Sequence, residues 1–214
     1  MFDRLKTLFV VLMRIFRIRF DKSPINSVET LTEFLQTRSA YVAQTSLYGY
    51  LKTRMGRNYV SIFKDERFAP SLNRAKWIVY SACLSDLTVY AIARTAQSKP
   101  AGEAEKLAVH CHRSCVQQTF VGEVAEDLAP VSLDEFASRS ERMLWANAGI
   151  AAQVFTKSPA ALADSSPVSE EFKELDREIV MNSVRFRWND VRDQLNRRLD
   201  GEAVWQDWQR IEAD

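Results

Sequence analysis

Glycine and proline are scarce in this chain of 214 residues, with only six of each. That is little for a β-sandwich, a barrel or a Gly-rich nucleotide-binding fold. Histidine is scarcer still. His110 and His112 are the only two, so a catalytic triad or a metal site must use one of them or do without. Three cysteines, Cys83, Cys111 and Cys115, make an odd and small set. This argues against a secreted disulfide framework and for reduced thiols in a reducing compartment. Neither sign of charge dominates: 29 Lys and Arg stand against 28 Asp and Glu, for a net charge of +1. Nucleic-acid binding by bulk charge is therefore not expected. The chain has no G-x-S-x-G elbow, no P-loop, no G-x-G-x-x-G, no E-x-x-H and no C-x-x-C. Those absences point away from the common hydrolase, nucleotide-binding, di-iron and redox classes. No catalytic residue is assigned and no cofactor is expected.

What the chain does have is a distinctive start, MFDRLKTLFVVLMRIFRIRFDK. Its longest uncharged run, residues 7–13, is too short to span a bilayer, and no small-residue cleavage site follows. At 100° per residue, Asp3, Lys6, Thr7, Arg14, Arg17 and Asp21 fall on one arc of about 100°. Phe2, Leu5, Leu8, Phe9, Leu12, Met13, Ile15, Phe16 and Phe20 cover most of the remainder. Arg4 and Arg19 lie on the apolar side, from which long side chains snorkel. Six basic and two acidic residues give these 22 positions a net charge of +4 and leave −3 for the other 192. A basic, aromatic-rich amphipathic helix with so wide an apolar face suits an anionic membrane surface. Phe2, Arg4, Lys6, Phe9, Arg14, Phe16, Arg17 and Arg19 are the expected membrane contacts. Two other readings stay open: the helix packs on the body of the protein, or it forms a homodimer interface.

The rest, residues 23–214, reads as an all-α bundle of about five helices. Ser27 caps a helix that runs to Met55, with Gly56 as its stop. An aromatic stretch, residues 59–68, reads as a loop or brief helix closed by Pro70. A central helix over residues 71–97 contains 17 residues, 77–93, with one charge, Asp86. A membrane span there carries an aspartate at a cost of about 2.5–3.5 kcal/mol, so a buried core helix is expected. A helix over residues 103–128 ends at Pro130, and Ser132-Leu133-Asp134-Glu135 opens the next as a capping box, to about residue 148. Residues 149–167, rich in Ala, Ser and Pro, are expected to hold at most short turns. Ser169 caps the last long helix, whose apolar line is Phe172, Leu175, Ile179, Met181, Val184, Trp188, Val191 and Leu195. Asp200-Gly201 stops it, and a short amphipathic tail carries Trp205 and Trp208.

Four groups carry candidate chemistry. Cys111, His112 and Cys115 have the spacing to meet one ion on a helix face, but both cysteines also fit a plain apolar face. Asp86 needs a cation or several hydrogen bonds. Arg38, Arg54, Arg177, Arg185 and Arg187 are the partners on offer. Asp86 with Arg185 and Tyr48 forms a candidate ligand pocket, and a structural ion pair is the alternative. Six tyrosines and Trp77 in the first half suit either an acyl or quinone groove or ordinary core. Arg185-Phe186-Arg187-Trp188 interleaves basic and aromatic residues, but Glu178, Asp190 and Asp193 cancel the charge.

Two stretches, residues 39–56 (SAYVAQTSLYGYLKTRMG) and 172–190 (FKELDREIVMNSVRFRWND), resemble a family of small helical alphaproteobacterial proteins, some automatically labelled "esterase". The resemblance implies no tested activity and no catalytic residue. Leu47-Tyr48-Gly49 is similar to a short sequence in helical chaperones for cytochrome bc1 assembly. Together these lead to the expectation of a cytoplasmic helical protein, peripheral on the inner membrane, that scaffolds or assembles a membrane process with an anionic surface and a protein partner. A lipid-ligand binder or enzyme and a soluble homodimer are the competing classes.

Overall fold

The computed structural model describes residues 22–63, 65–148 and 154–213. It is all-α, and its helices pack as a bundle. The elements are α1 (Val28–Met55), a 3-10 turn (Gly56–Asn58), α2 (Tyr59–Ile62), α3 (Ala69–Thr95), α4 (Ala101–Thr119) and α5 (Glu123–Glu141). They continue with α6 (Trp145–Ala148), α7 (Lys157–Ser165), α8 (Glu170–Arg198) and α9 (Gly201–Ala213). Five of these, α1, α3, α4, α5 and α8, have 19 residues or more. No described helix is long and apolar enough to cross a membrane.

Local chemistry sets several boundaries as expected. Ser27 caps α1 in a reciprocal box with Thr30: its hydroxyl accepts from Thr30 N at 3.1 Å, and Thr30 Oγ1 accepts from Ser27 N at 3.0 Å. Gly56 ends α1 at φ +54°, which an L side chain rarely adopts. Gly201 opens α9 against the end of α3, where an added Cβ would meet Thr95 O at 3.2 Å.

Other boundaries differ from expectation. Pro70 does not close the aromatic stretch; it lies in the first turn of α3, where its missing N–H has no helical partner to lose. Pro130 and the Ser132–Glu135 box do not divide two helices, because both lie inside α5. The break falls earlier, at Gly122 with φ +95°. Ser132 accepts a hydrogen bond from the Ser81 hydroxyl at 2.7 Å, across helices, in place of capping its own. Residues 157–165 are a helix with buried Ser158, Pro159, Leu162 and Ala163, where only turns were expected. The helix is short and capped from elsewhere in the chain, so no local signal marks it.

α3 is the centre. It packs against α1, α4, α5, α6, α7 and α9, and every residue from position 83 to position 93 is buried. Ile25, fully buried, staples the chain to the α8–α9 junction: its N–H donates to Arg198 O at 2.8 Å and its carbonyl accepts from Asp200 N at 2.9 Å. Arg198 Nε also donates to Ser23 O at 2.7 Å.

Candidate functional site

Asp86 lies at the middle of α3 with no exposed surface. A carboxylate in that position must be paired and hydrogen-bonded or give up its charge. It is paired with Arg139 of α5, which sequence spacing did not single out, and not with the five arginines expected. Arg139 Nη1 donates to Asp86 Oδ1 and to Ser85 Oγ, both at 2.8 Å, and Nη2 donates to Val154 O at 2.7 Å. Asp86 also accepts from Ser158 N at 2.8 Å, Ser158 Oγ at 2.7 Å and Lys157 N at 3.3 Å. Those backbone donors belong to the first turn of α7, whose N-cap residue, Thr156, makes no side-chain cap bond. Asp86 is thus the cap of α7, supplied from another helix. The Ser158 hydroxyl accepts in turn from Trp188 Nε1 at 2.9 Å, which ties in α8. One carboxylate joins α3, α5, α7 and α8.

Burial pushes the Asp86 carboxyl above its usual range, while Arg139 and Ser158 pull it back. Four donors occupy its lone pairs, which leaves no position for a substrate. The expected pocket is not assembled around it. Arg185 is exposed and donates to Asn182 at 3.0 Å. Tyr48 lies at the surface with its ring edge-on to Phe63 at 5.8 Å. The tyrosines do not share one groove either: Tyr80 packs with Trp77 and Phe120, and Tyr90 with Phe155.

A cleft of about 290 Å³ opens beside the network, between α3, α5 and α7. Trp77, Ile78, Leu128, Val131 and Phe136 make its apolar wall, and Ser81, Ser85 and Ser132 a polar edge. Lys157 Nζ and Glu135 Oε2, 3.2 Å apart, neutralise each other there.

His112 lies behind that wall. Its ring stacks on Phe136 at 4.0 Å and 3°, and neither nitrogen has a hydrogen-bond partner among the described residues. Burial, with the charges of Lys157 and Arg139, pushes its pKa down to about 3. His110 is half-buried beside Trp208, and burial with the nearby Arg113 charge lowers its pKa. Burial raises the Cys111 thiol to about 12 and Cys115 well above its usual value; Cys115 donates to Thr32 O at 3.6 Å. Cys83 is buried and raised in the same way. All three thiols stay protonated at neutral pH. Among the described residues, no group of three or more His, Cys, Asp or Glu is disposed to hold a metal ion. Cys111, His112 and Cys115 form no such cluster: both thiols face Thr32, while the His112 ring is turned onto Phe136.

α8 departs from its expected apolar line. Val180, Val184, Trp188, Val191 and Leu195 are buried, but Leu175, Ile179 and Phe186 are 69%, 72% and 76% exposed. The cause is geometric. Residues nine apart on a helix stand half a turn from each other, so Leu175 opposes Val184 and Ile179 opposes Trp188. Phe186 comes seven residues after Ile179 and shares its side. α8 therefore carries two apolar faces, one inward and one outward. The expected membrane contacts Phe2, Arg4, Lys6, Phe9, Arg14, Phe16, Arg17 and Arg19 lie outside the described residues.

Comparison of the chain with protein-family models, with curated proteins and with solved structures finds no match.

Proposed function

We propose that this chain is a non-catalytic helical scaffold or assembly factor that docks peripherally on the inner face of the cytoplasmic membrane through residues 1–22. The observation that carries the reading is the segregation of charge, +4 in the first 22 residues against −3 in the rest, on an amphipathic period. Each basic residue near an anionic surface contributes about 1 kcal/mol, and aromatic side chains add apolar burial. The Ile25 staple supports it, because it anchors the end of that segment to the α8–α9 junction and so couples a docked segment to the bundle. The Asp86 network supports a structural role for the body, since its polar groups bond to one another. A partner for the body is a protein surface, in line with the likeness to assembly chaperones at Leu47-Tyr48-Gly49. The cleft beside Phe136 favours a second reading, a site for a small apolar molecule with one neutral polar group.

Co-sedimentation of the full chain with vesicles tests the first reading. Pelleting with phosphatidylglycerol vesicles, not with phosphatidylcholine alone, and weakening as salt rises is the expected result. Equal recovery in the supernatant with both lipids contradicts it.

A further inference from the structure

The cleft between α3, α5 and α7 has an apolar wall and a hydroxyl edge, and the protons of that edge can be counted. Ser81 and Ser85 stand one turn apart on α3, and Ser132 meets them from α5. Ser85 and Ser132 are each only 5% exposed. A hydroxyl has one proton to give and two lone pairs with which to receive. Ser81 gives its proton to Ser132 Oγ at 2.7 Å. Ser85 Oγ receives one from Arg139 Nη1 at 2.8 Å. The protons of Ser132 and Ser85 themselves have no acceptor among the described residues. Ser140, further along α5, shows the usual escape: its hydroxyl turns back to Ala137 O at 2.8 Å. Ser132 and Ser85 do not take it. Each of these two O–H groups is polarised by the bond it receives, Ser85 by a guanidinium. An orphaned donor is a rarer feature of folded proteins than an acceptor with a spare lone pair. The edge therefore lacks an acceptor.

Charge and size restrict what supplies it. Lys157 Nζ and Glu135 Oε2 hold each other at 3.2 Å in the cleft lining, and Arg139 behind Ser85 is paired with Asp86. No net charge is left there to match an ion, so the ligand is neutral. The volume of about 290 Å³ lies at the lower end of ligand sites, which suits a molecule of roughly ten heavy atoms. Trp77 and Phe136 offer ring faces, and the His112 ring backs Phe136 at 4.0 Å.

We infer that the cleft binds a small neutral carbonyl compound, an aryl ketone or ester, whose oxygen accepts from Ser132 and Ser85 while its apolar part lies on Trp77 and Phe136. The inference rests on the second reading above, a cleft for a small apolar molecule, and adds the identity of the polar group. A ligand whose polar group only donates meets an edge that already has protons to spare.

NMR titration of the full-length protein with acetophenone, and with ethylbenzene as the analogue that lacks the carbonyl, tests it. Both compounds are expected to shift amides of α7 and of residues 132–136. Ser132→Ala/Ser85→Ala is expected to weaken acetophenone about fivefold and to leave ethylbenzene within about twofold. On the wild type, the infrared carbonyl band of bound acetophenone is expected below its position in hydrocarbon solvent. That band needs no variant, so it decides alone should the loss of Ser85 disturb Arg139. An equal change for both compounds, or a band at the hydrocarbon position, overturns the inference and leaves the cleft as a plain apolar site. No shift of those amides with either compound at about 1 mM removes the second reading and the inference together.

Discussion

The two faces of α8 carry similar side chains and opposite fates. Inward, Trp188 is held between the Phe155 ring at 4.7 Å and the Ser158 hydroxyl, and Val184, Val191 and Leu195 are sealed beside it. Outward, Leu175, Ile179 and Phe186 face solvent. Composition and spacing do not distinguish them. What distinguishes them is the polar hardware beside them: the inner face meets a network around a carboxylate that joins four helices, while the outer face is flanked by exposed polar and charged side chains of its own helix, Glu171, Glu178, Asn182 and Arg185 among them. The bundle is closed on one side of α8 and open to exchange on the other.

The largest expected effect breaks the closed side. Asp86→Ala leaves the Arg139 guanidinium buried without its carboxylate and removes the cap of α7, so urea unfolding is expected to lose about 3–5 kcal/mol. A loss under about 1 kcal/mol contradicts the central role given to this network.

The second effect is a pH dependence. The folded His112 pKa, about 3, lies below its ordinary value of 6.5, so between these limits the unfolded chain binds the extra proton. Its contribution is complete above 6.5 and is lost as pH falls, at up to about 1.4 kcal/mol per pH unit. Asp86, whose pKa is raised, works in the opposite sense, losing stability as pH rises through the carboxylate range. Stability of the wild type minus that of His112→Phe isolates the histidine; a difference flat between pH 7 and 5 contradicts the burial account.

A third, smaller effect sharpens the comparison within α8. Trp188→Phe keeps most of the apolar volume and deletes one donor to Ser158, with an expected loss of about 1 kcal/mol. The smallest is on the open side. Leu175→Asp/Ile179→Asp is expected to change stability by no more than about 0.5 kcal/mol per site, because neither side chain is buried. A large loss there would move the outer face into the core and erase the contrast.

The sequence was legible where local chemistry decides. Ser27, Gly56 and Gly201 mark ends through caps, positive φ and close approach, and the apolar run around Asp86 is the fully surrounded helix it looked like. It was misleading where a distant residue overrides a local signal. Ser132 has the form of a cap, yet its hydroxyl meets Ser81 on another helix. Thr156 does not cap α7 because Asp86 does, so that helix carried no start signal of its own. Arg139 was missed because the helix that presents it was divided at Pro130. Pairing Ser81 and Ser85, four apart on α3, with Ser132 and Arg139, seven apart, was the one pattern able to reveal it. The two faces of α8 look like one in a bare list of apolar residues, because only the half-turn between positions nine apart separates them.

Charge and apolar periodicity in residues 1–22 carry the proposed membrane docking, and Arg14→Glu/Arg17→Glu in the full chain tests it most directly. Binding to phosphatidylglycerol vesicles is measured at low and at physiological salt, beside the urea midpoint. The double reversal is expected to abolish vesicle binding at both salt concentrations and to leave the midpoint unchanged. Vesicle binding equal to that of the wild type would contradict it.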